Sequence, residues 1–167
     1  MTPSPPSHGT LRLPAPWGWL QIDWQQHTII ASELHPGPPL ALPEAEPSTP
    51  FAAQIWQQWQ GYLSDPHHPI TLPLHHHGTP YQQRVWQLLR TIPPGQTRSY
   101  GDLAAHLASS PRAIGNACRA NPLPWLIPCH RITARHHLGG YHGASSGPQL
   151  AIKRWLLEHE GALPTSD

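Results

Sequence analysis

Ser99-Tyr100-Gly101-Asp102-Leu103-Ala104-Ala105-His106-Leu107-Ala108-Ser109-Ser110-Pro111-Arg112-Ala113-Ile114-Gly115-Asn116-Ala117-Cys118-Arg119-Ala120 reads as two short helices with a tight connection. The first places Leu103, Ala104 and Leu107 on one side, the spacing of a helix with one buried face. Ala108-Ser109-Ser110 is too short for anything but a turn, and Pro111 suits the first position of the next helix, where its missing N–H costs nothing. Two short helices joined this closely resemble a helix-turn-helix. Upstream, Thr79-Pro80-Tyr81-Gln82 combines an N-cap, a proline and a reciprocal capping glutamine, so a helix starts there. Val85, Trp86, Leu88 and Leu89 form its buried face, and Pro93-Pro94-Gly95 stops it. Downstream, Ser146-Gly147-Pro148 opens a last helix, with Leu150, Trp155, Leu156 and Leu157 apolar and Gly161 just past its end.

The first half of the chain has a different texture. Residues 1–10 are rich in proline and serine and are expected to be disordered. Residues 11–34 read as short strands: Trp19-Leu20-Gln21-Ile22-Asp23-Trp24 alternates, and Pro16-Trp17-Gly18 supplies a turn. Residues 35–49 hold a proline-rich loop. Phe51, Ile55, Trp56, Trp59 and Leu63 recur at helical spacing, and residues 70–74 form a candidate last strand. The expected organisation is a small α+β subdomain over 11–78 and a mostly helical domain over 79–167.

Charge divides the same way. Residues 1–80 carry one basic residue against five acidic ones, whereas residues 81–167 carry nine against four. A basic second half suits a polyanion such as nucleic acid. The 167 residues include two cysteines, Cys118 and Cys129, and the first sixteen have neither a basic start nor an apolar stretch. Free thiols in a reducing compartment, the cytoplasm, are the expectation. No apolar run approaches the ~20 residues that span a bilayer, so no membrane partner is expected.

The chemistry points to Leu126-Ile127-Pro128-Cys129-His130-Arg131-Ile132. A cysteine followed by a potential base and a cation is the pattern of a nucleophile, because such neighbours lower the free-thiol pKa of ~8.5. Cys118, inside a helix, reads as a small buried hydrophobe. His130 can take the thiol proton if a carboxylate orients it, and Glu158 and Glu160 are both candidates. Arg112, at a helix start, can meet a phosphate or enter a base stack. The histidine clusters at 67–68, 75–77 and 136–137 lack ligand spacing, so no metal and no cofactor are expected. Glycine-rich phosphate loops and Ser-His-Asp signatures are missing from the sequence.

Eight blocks in order resemble the O6-alkylguanine-DNA alkyltransferases: Tyr81-Gln82-Gln83-Arg84-Val85-Trp86, Ile92-Pro93-Pro94-Gly95-Gln96-Thr97, Ser99-Tyr100-Gly101-Asp102-Leu103-Ala104, Arg112-Ala113-Ile114-Gly115-Asn116-Ala117, Asn121-Pro122, Ile127-Pro128-Cys129-His130-Arg131, Gly139-Gly140-Tyr141, and Lys153 onward to Glu160. The resemblance implies a ribonuclease-H-like N-terminal subdomain and a C-terminal domain with a winged helix-turn-helix. It implies a monomer that binds double-stranded DNA in the minor groove, flips an O6-alkylguanine into a pocket, and transfers the alkyl group irreversibly to Cys129. O4-alkylthymine stays open as a second substrate. Two competing readings are a damage-binding relative that transfers nothing and an unrelated cysteine hydrolase.

The resemblance also assigns roles. Tyr100 donates to guanine N3, His130 passes the proton through a water, and Glu160 orients His130. The carbonyls of Cys129 and Ile132 accept from the guanine amino group. Pro124, Tyr141, His142 and Gly143 line the pocket, with the N–H near His142 on O6. Arg112 fills the gap in the duplex, Ala113, Gly115 and Arg131 meet DNA, and Asn121 braces the helices against the active segment. Three features depart from the family pattern: Ala144 replaces a glycine, the stretch after Tyr141 is long, and Trp125 is bulky. All three bear on which alkyl groups fit.

Overall fold

The computed structural model describes residues 7–38 and 47–163 and divides into two compact units, 1–76 and 77–167. The division falls two residues before the expected boundary.

In the first unit, β1 (His8–Ala15), β2 (Gly18–Gln25) and β3 (Thr28–Pro36) form an antiparallel meander in the order β1-β2-β3. Strand β1 starts at His8, so the expectation of disorder over 1–10 fails for its last three residues; residues 1–6 lie outside the described residues. Pairing with residues 18–25 satisfies this backbone. The β2–β3 turn uses Gln26 and His27, both at positive φ (48° and 62°), the geometry that matches strand twist in a two-residue hairpin. Leu13, Leu20, Ile22, Trp24 and Ile29 are buried, as are Phe51, Ile55, Trp59 and Tyr62 of α1 (Pro50–Ser64). Trp24 meets Phe51 edge-on at 5.6 Å, and the Trp59 indole donates to the Pro14 carbonyl at 2.9 Å. The expected strand at 70–74 is instead a single bridge, Ile29 to Leu74, closed by two backbone hydrogen bonds. Pro69 precedes the run and Pro73 interrupts it, and neither has an N–H for a ladder. Most of the proline-rich loop expected at 35–49 lies outside the described residues.

The second unit is built on α2 (Pro80–Leu89), α3 (Tyr100–His106), α4 (Pro111–Arg119) and α5 (Pro148–His159), with the two-residue strands β4 (Arg98–Ser99) and β5 (Ile132–Thr133) paired in parallel. Thr79 and Gln82 close the capping box that starts α2, and Ser99 and Asp102 close another at α3. Val85, Trp86 and Leu89 are buried, while Leu88 is half-exposed. The Trp86 indole donates to the Ala117 carbonyl at 2.9 Å, tying α2 to α4. Trp125 is 5% exposed at φ +73°, an uncommon conformation for a bulky residue. The turn around it is held by Asn121, whose Nδ2 donates to the Ile127 carbonyl at 2.9 Å while Oδ1 accepts from Leu123 N–H at 2.9 Å. No helix of the described residues is long and apolar enough to cross a membrane. The whole is a mixed α+β fold of a small sheet and helices.

Candidate active site

Cys129, His130 and Arg131 form a single 3-10 turn that follows Pro128 and leads into β5. The Cys129 N–H donates to the Ile127 carbonyl at 2.8 Å, so the brace from Asn121 and the nucleophile's own backbone meet at one oxygen. Cys129 is 4% exposed and lines a cavity of about 500 Å3. Tyr100, Arg112 and Gly115 form one side of that cavity; Tyr141, His142 and Gly143 form another.

Behind the thiol lies a buried charge relay. His130 Nε2 lies 2.5 Å from Glu160 Oε1. Arg131 donates from Nε to both Glu160 oxygens at 3.0 and 3.1 Å and from Nη2 at 2.8 Å. Its Nη1 donates to the Ile92 carbonyl at 2.6 Å. The structure thus brings Glu160, not Glu158, to His130; Glu158 faces Arg154 at 3.9 Å. Burial would raise the Glu160 pKa, but His130 and Arg131 overcome it and bring it down to about 2. Burial in turn pushes His130 below its ordinary range, against the pull of Glu160. One carboxylate and one guanidinium already balance, so a proton on the imidazole would add an uncompensated charge. Neutral His130 therefore donates through Nε2–H, leaving the Nδ1 lone pair as a base; Nδ1 is buried without a hydrogen-bond partner among the described residues.

Two expectations need correction. Arg131, expected at DNA, has its guanidinium turned inward to Glu160, with only 11% of its side chain exposed. Nor is the thiol simply acidified, as its sequence neighbours suggest: burial pushes the Cys129 pKa up, against the pull of Asn121, Lys153 and Tyr141.

Lys153 was not assigned a role from sequence. It is fully buried in α5, and its Nζ donates to the carbonyls of Ile132 at 2.6 Å and Gly140 at 2.9 Å. Burial brings its pKa down to about 8, with the two cysteines pulling the other way. The signal was present: Lys153 falls at helical spacing from Leu150 and Leu157, on the apolar stripe. Cys118, read as a plain core residue, also lines the cavity, on the face of α4 that carries Gly115 and Arg119. Tyr100 has its pKa raised to about 12 by burial and by the nearby thiols, so its hydroxyl stays a donor. It reaches the Gly140 carbonyl at 3.5 Å.

Other expected residues sit apart. Pro124 and Ile132 do not line this cavity. The Ile132 carbonyl already receives Lys153, and the Cys129 carbonyl receives the Ile132 N–H. The Ala113 N–H is engaged by the Ser110 cap at 3.2 Å. Trp125 is in the core, away from the cavity lining. Ala144 pairs with Tyr141 through two backbone hydrogen bonds of 2.9 Å, closing a hairpin with His142 and Gly143 at its tip. Among the described residues no three His, Cys, Asp or Glu side chains gather as metal ligands.

A family model described as "6-O-methylguanine DNA methyltransferase, DNA binding domain" matches residues 80–162. The chain is similar to the "Methylated-DNA--protein-cysteine methyltransferase" of Methanocaldococcus jannaschii, 48% identical over 44% of this chain and 41% of that protein. It spans less than half the length of the curated methyltransferases it matches. Over nearly its whole length it is similar to a "DNA base-flipping protein" of Thermus thermophilus, 36% identical over 90% of this chain and 99% of that one. The Mycobacterium tuberculosis O6-methylguanine methyltransferase aligns with a TM-score of 0.74 and 30% identity over 96% of both chains. Its complex with DNA aligns with a TM-score of 0.71 and 29% identity over 90% of this chain and 91% of that one. With the family model over its second half, and likenesses of 36% and 30% identity running over nearly its whole length, the protein belongs to the O6-methylguanine-DNA methyltransferase family.

Proposed function

We propose that this protein repairs DNA by moving an alkyl group from O6 of guanine to Cys129, once per molecule. The observation that carries this is the Cys129 thiol in a cavity backed by the His130–Glu160–Arg131 relay. His130 Nδ1 takes the thiol proton through a bridging water. The sulfur attacks the alkyl carbon, the C–O6 bond breaks, and its electron pair goes to the guanine. Tyr100 donates to N3 and meets the charge developing on the base, while Glu160 supports the imidazolium. The product is a thioether, a poor leaving group, so the protein does not turn over.

Helices α3 and α4 serve as the helix-turn-helix on double-stranded DNA, with β4 and β5 at its wing and Arg112 filling the space of the flipped nucleotide. The three-stranded unit is the ribonuclease-H-like subdomain. The protein acts as a cytoplasmic monomer, consistent with two free cysteines. O4-alkylthymine is a candidate second lesion. The test is mass spectrometry after mixing with O6-methylguanine duplex. One methyl group on the Cys129 peptide, absent in Cys129→Ser, is expected; several turnovers per protein would favour a hydrolase instead. The full-length likeness to a base-flipping protein favours a second reading, damage binding without transfer. An unchanged peptide beside tight lesion binding would establish it.

A further inference from the structure

We infer that Tyr81 is a positioning residue for Arg112: its hydroxyl clamps the turn between α3 and α4 and so sets where the start of α4 meets a flipped nucleotide. This rests on the transfer reading above. Helix α2 holds α4 at both ends. At the far end the Trp86 indole donates to the Ala117 carbonyl. At the near end the Tyr81 hydroxyl and Ser109 Oγ share a hydrogen bond of 2.6 Å.

The near end is where packing secures α4 least. Its buried side chains are Ile114, Ala117 and Cys118, none of them among its first three residues. Two of the three are small, and apolar burial is non-directional, so burial alone leaves the start of the helix free to slide. A pair of hydroxyls fixes a distance, which burial does not. The turn they hold is strained. Ala108 closes α3 at φ +51°, an unfavourable conformation for a residue with a Cβ, and the Ser109 N–H returns to the Ala104 carbonyl at 2.8 Å. Ser110 then caps α4, and Arg112 follows as the second residue of that helix. Tyr81 and Ser109 are both half-buried, and neither lines the cavity that holds Cys129, whereas Arg112 does. A free base entering that cavity has no need of Arg112. A nucleotide flipped out of a duplex does, because its place in the stack must be filled. Tyr81 therefore matters only when the lesion sits in a duplex.

Single-turnover transfer would be measured on O6-methylguanine in a duplex and on the free O6-methylguanine base. Tyr81→Phe keeps the ring and removes only the hydroxyl, and Ser109→Ala removes its partner. Each should lower the duplex-to-free-base rate ratio about threefold, the size of one partly exposed hydrogen bond, and the double variant should lower it no further. In an Arg112→Ala background Tyr81→Phe should leave the ratio unchanged, because nothing remains to be positioned. A purely structural hydroxyl would slow both assays together, or lower the thermal midpoint with the ratio intact, and either result overturns the inference. A loss of ratio that persists without Arg112 overturns it as well. If the wild type leaves the duplex lesion intact, the transfer reading itself is what fails, and the inference falls with it.

Discussion

The 128–131 turn and the 141–144 hairpin line one cavity, yet they are secured in opposite ways. In the turn, Asn121 braces the backbone at Ile127, Arg131 clamps Glu160 with three contacts, and Glu160 fixes His130. Among the described residues His130 Nδ1 is left without a hydrogen-bond partner, and it is the atom the proposed transfer uses as base. The hairpin hangs on two backbone hydrogen bonds, and its tip residues, His142 and Gly143, have φ of +49° and +79°. Lys153 joins the two walls, holding Ile132 at the base of one and Gly140 at the base of the other. The difference teaches where each property is stored: reactivity in a buried network that tolerates no slack, selectivity in a hairpin that can be rebuilt without touching it.

The sharpest way to break this comparison is Glu160→Gln. It removes the charge that both His130 and Arg131 share, so transfer should slow by about a hundredfold. The stability consequence has a defined sign. The Glu160 pKa falls from its ordinary 4.5 to about 2 on folding, so its contribution is fully present above 4.5 and is lost as pH falls towards 2. The wild-type protein should lose about 3 kcal/mol across that window that the variant never had. Parallel acid titrations of the two proteins would show that the network is not the rigid element described.

Lys153→Met comes next. Charged Lys153 favours the thiolate, and with a pKa near 8 it loses that charge as pH rises through 8. The variant should transfer about tenfold more slowly at neutral pH, and the wild-type rate should fall above pH 8 relative to the variant. Identical pH profiles would leave Lys153 as a tie between walls and nothing more.

The relay was half legible in the sequence. Cys129 and His130 are adjacent, and the last helix was visible from its spacing, but the choice of Glu160 over Glu158 depends on where α5 ends. Glu160 is the C-cap residue and still follows Lys153, Leu156 and Leu157 at helical spacing on the buried side, whereas Glu158 lies beside Arg154, so the choice is readable only if the helix is carried through its last turn. Arg131 misled because a basic residue beside DNA-binding elements looks like a DNA contact; only the buried carboxylate reveals its real partner. The Gln26-His27 turn lacks the glycine that usually announces a hairpin, although the strands on both sides were readable. The bridge at Leu74 shows the opposite error: an apolar run looked like a strand, but prolines denied it a ladder.

A smaller effect is expected from Arg112→Ala. Arg112 lines the cavity yet is exposed and lies outside the relay. If Arg112 fills the flipped nucleotide's place as proposed, repair in a duplex should slow about fivefold, a cost below that of full base unstacking. Reaction with a free O6-alkylguanine base should be nearly unaffected. Equal slowing in both assays would place Arg112 in the chemistry.

The finest test compares two glycines of the same loop. Gly147 has φ +86° and ψ −162°, a region that only glycine occupies comfortably, but a Cβ there would meet nothing within 4 Å. Gly147→Ala should therefore cost about 2 kcal/mol of stability and leave lesion preference alone. Gly143, at φ +79°, fills a hairpin position where alanine costs about 1 kcal/mol, but its Cβ would press on Arg119. Gly143→Ala should thus destabilise less and still shift the ratio of O6-isobutylguanine to O6-methylguanine transfer rates about threefold, since a displaced guanidinium changes the room at the hairpin tip. The two variants separate strain from selectivity. If both change the ratio together with stability, the hairpin acts as one rigid piece, and the contrast with the relay wall disappears.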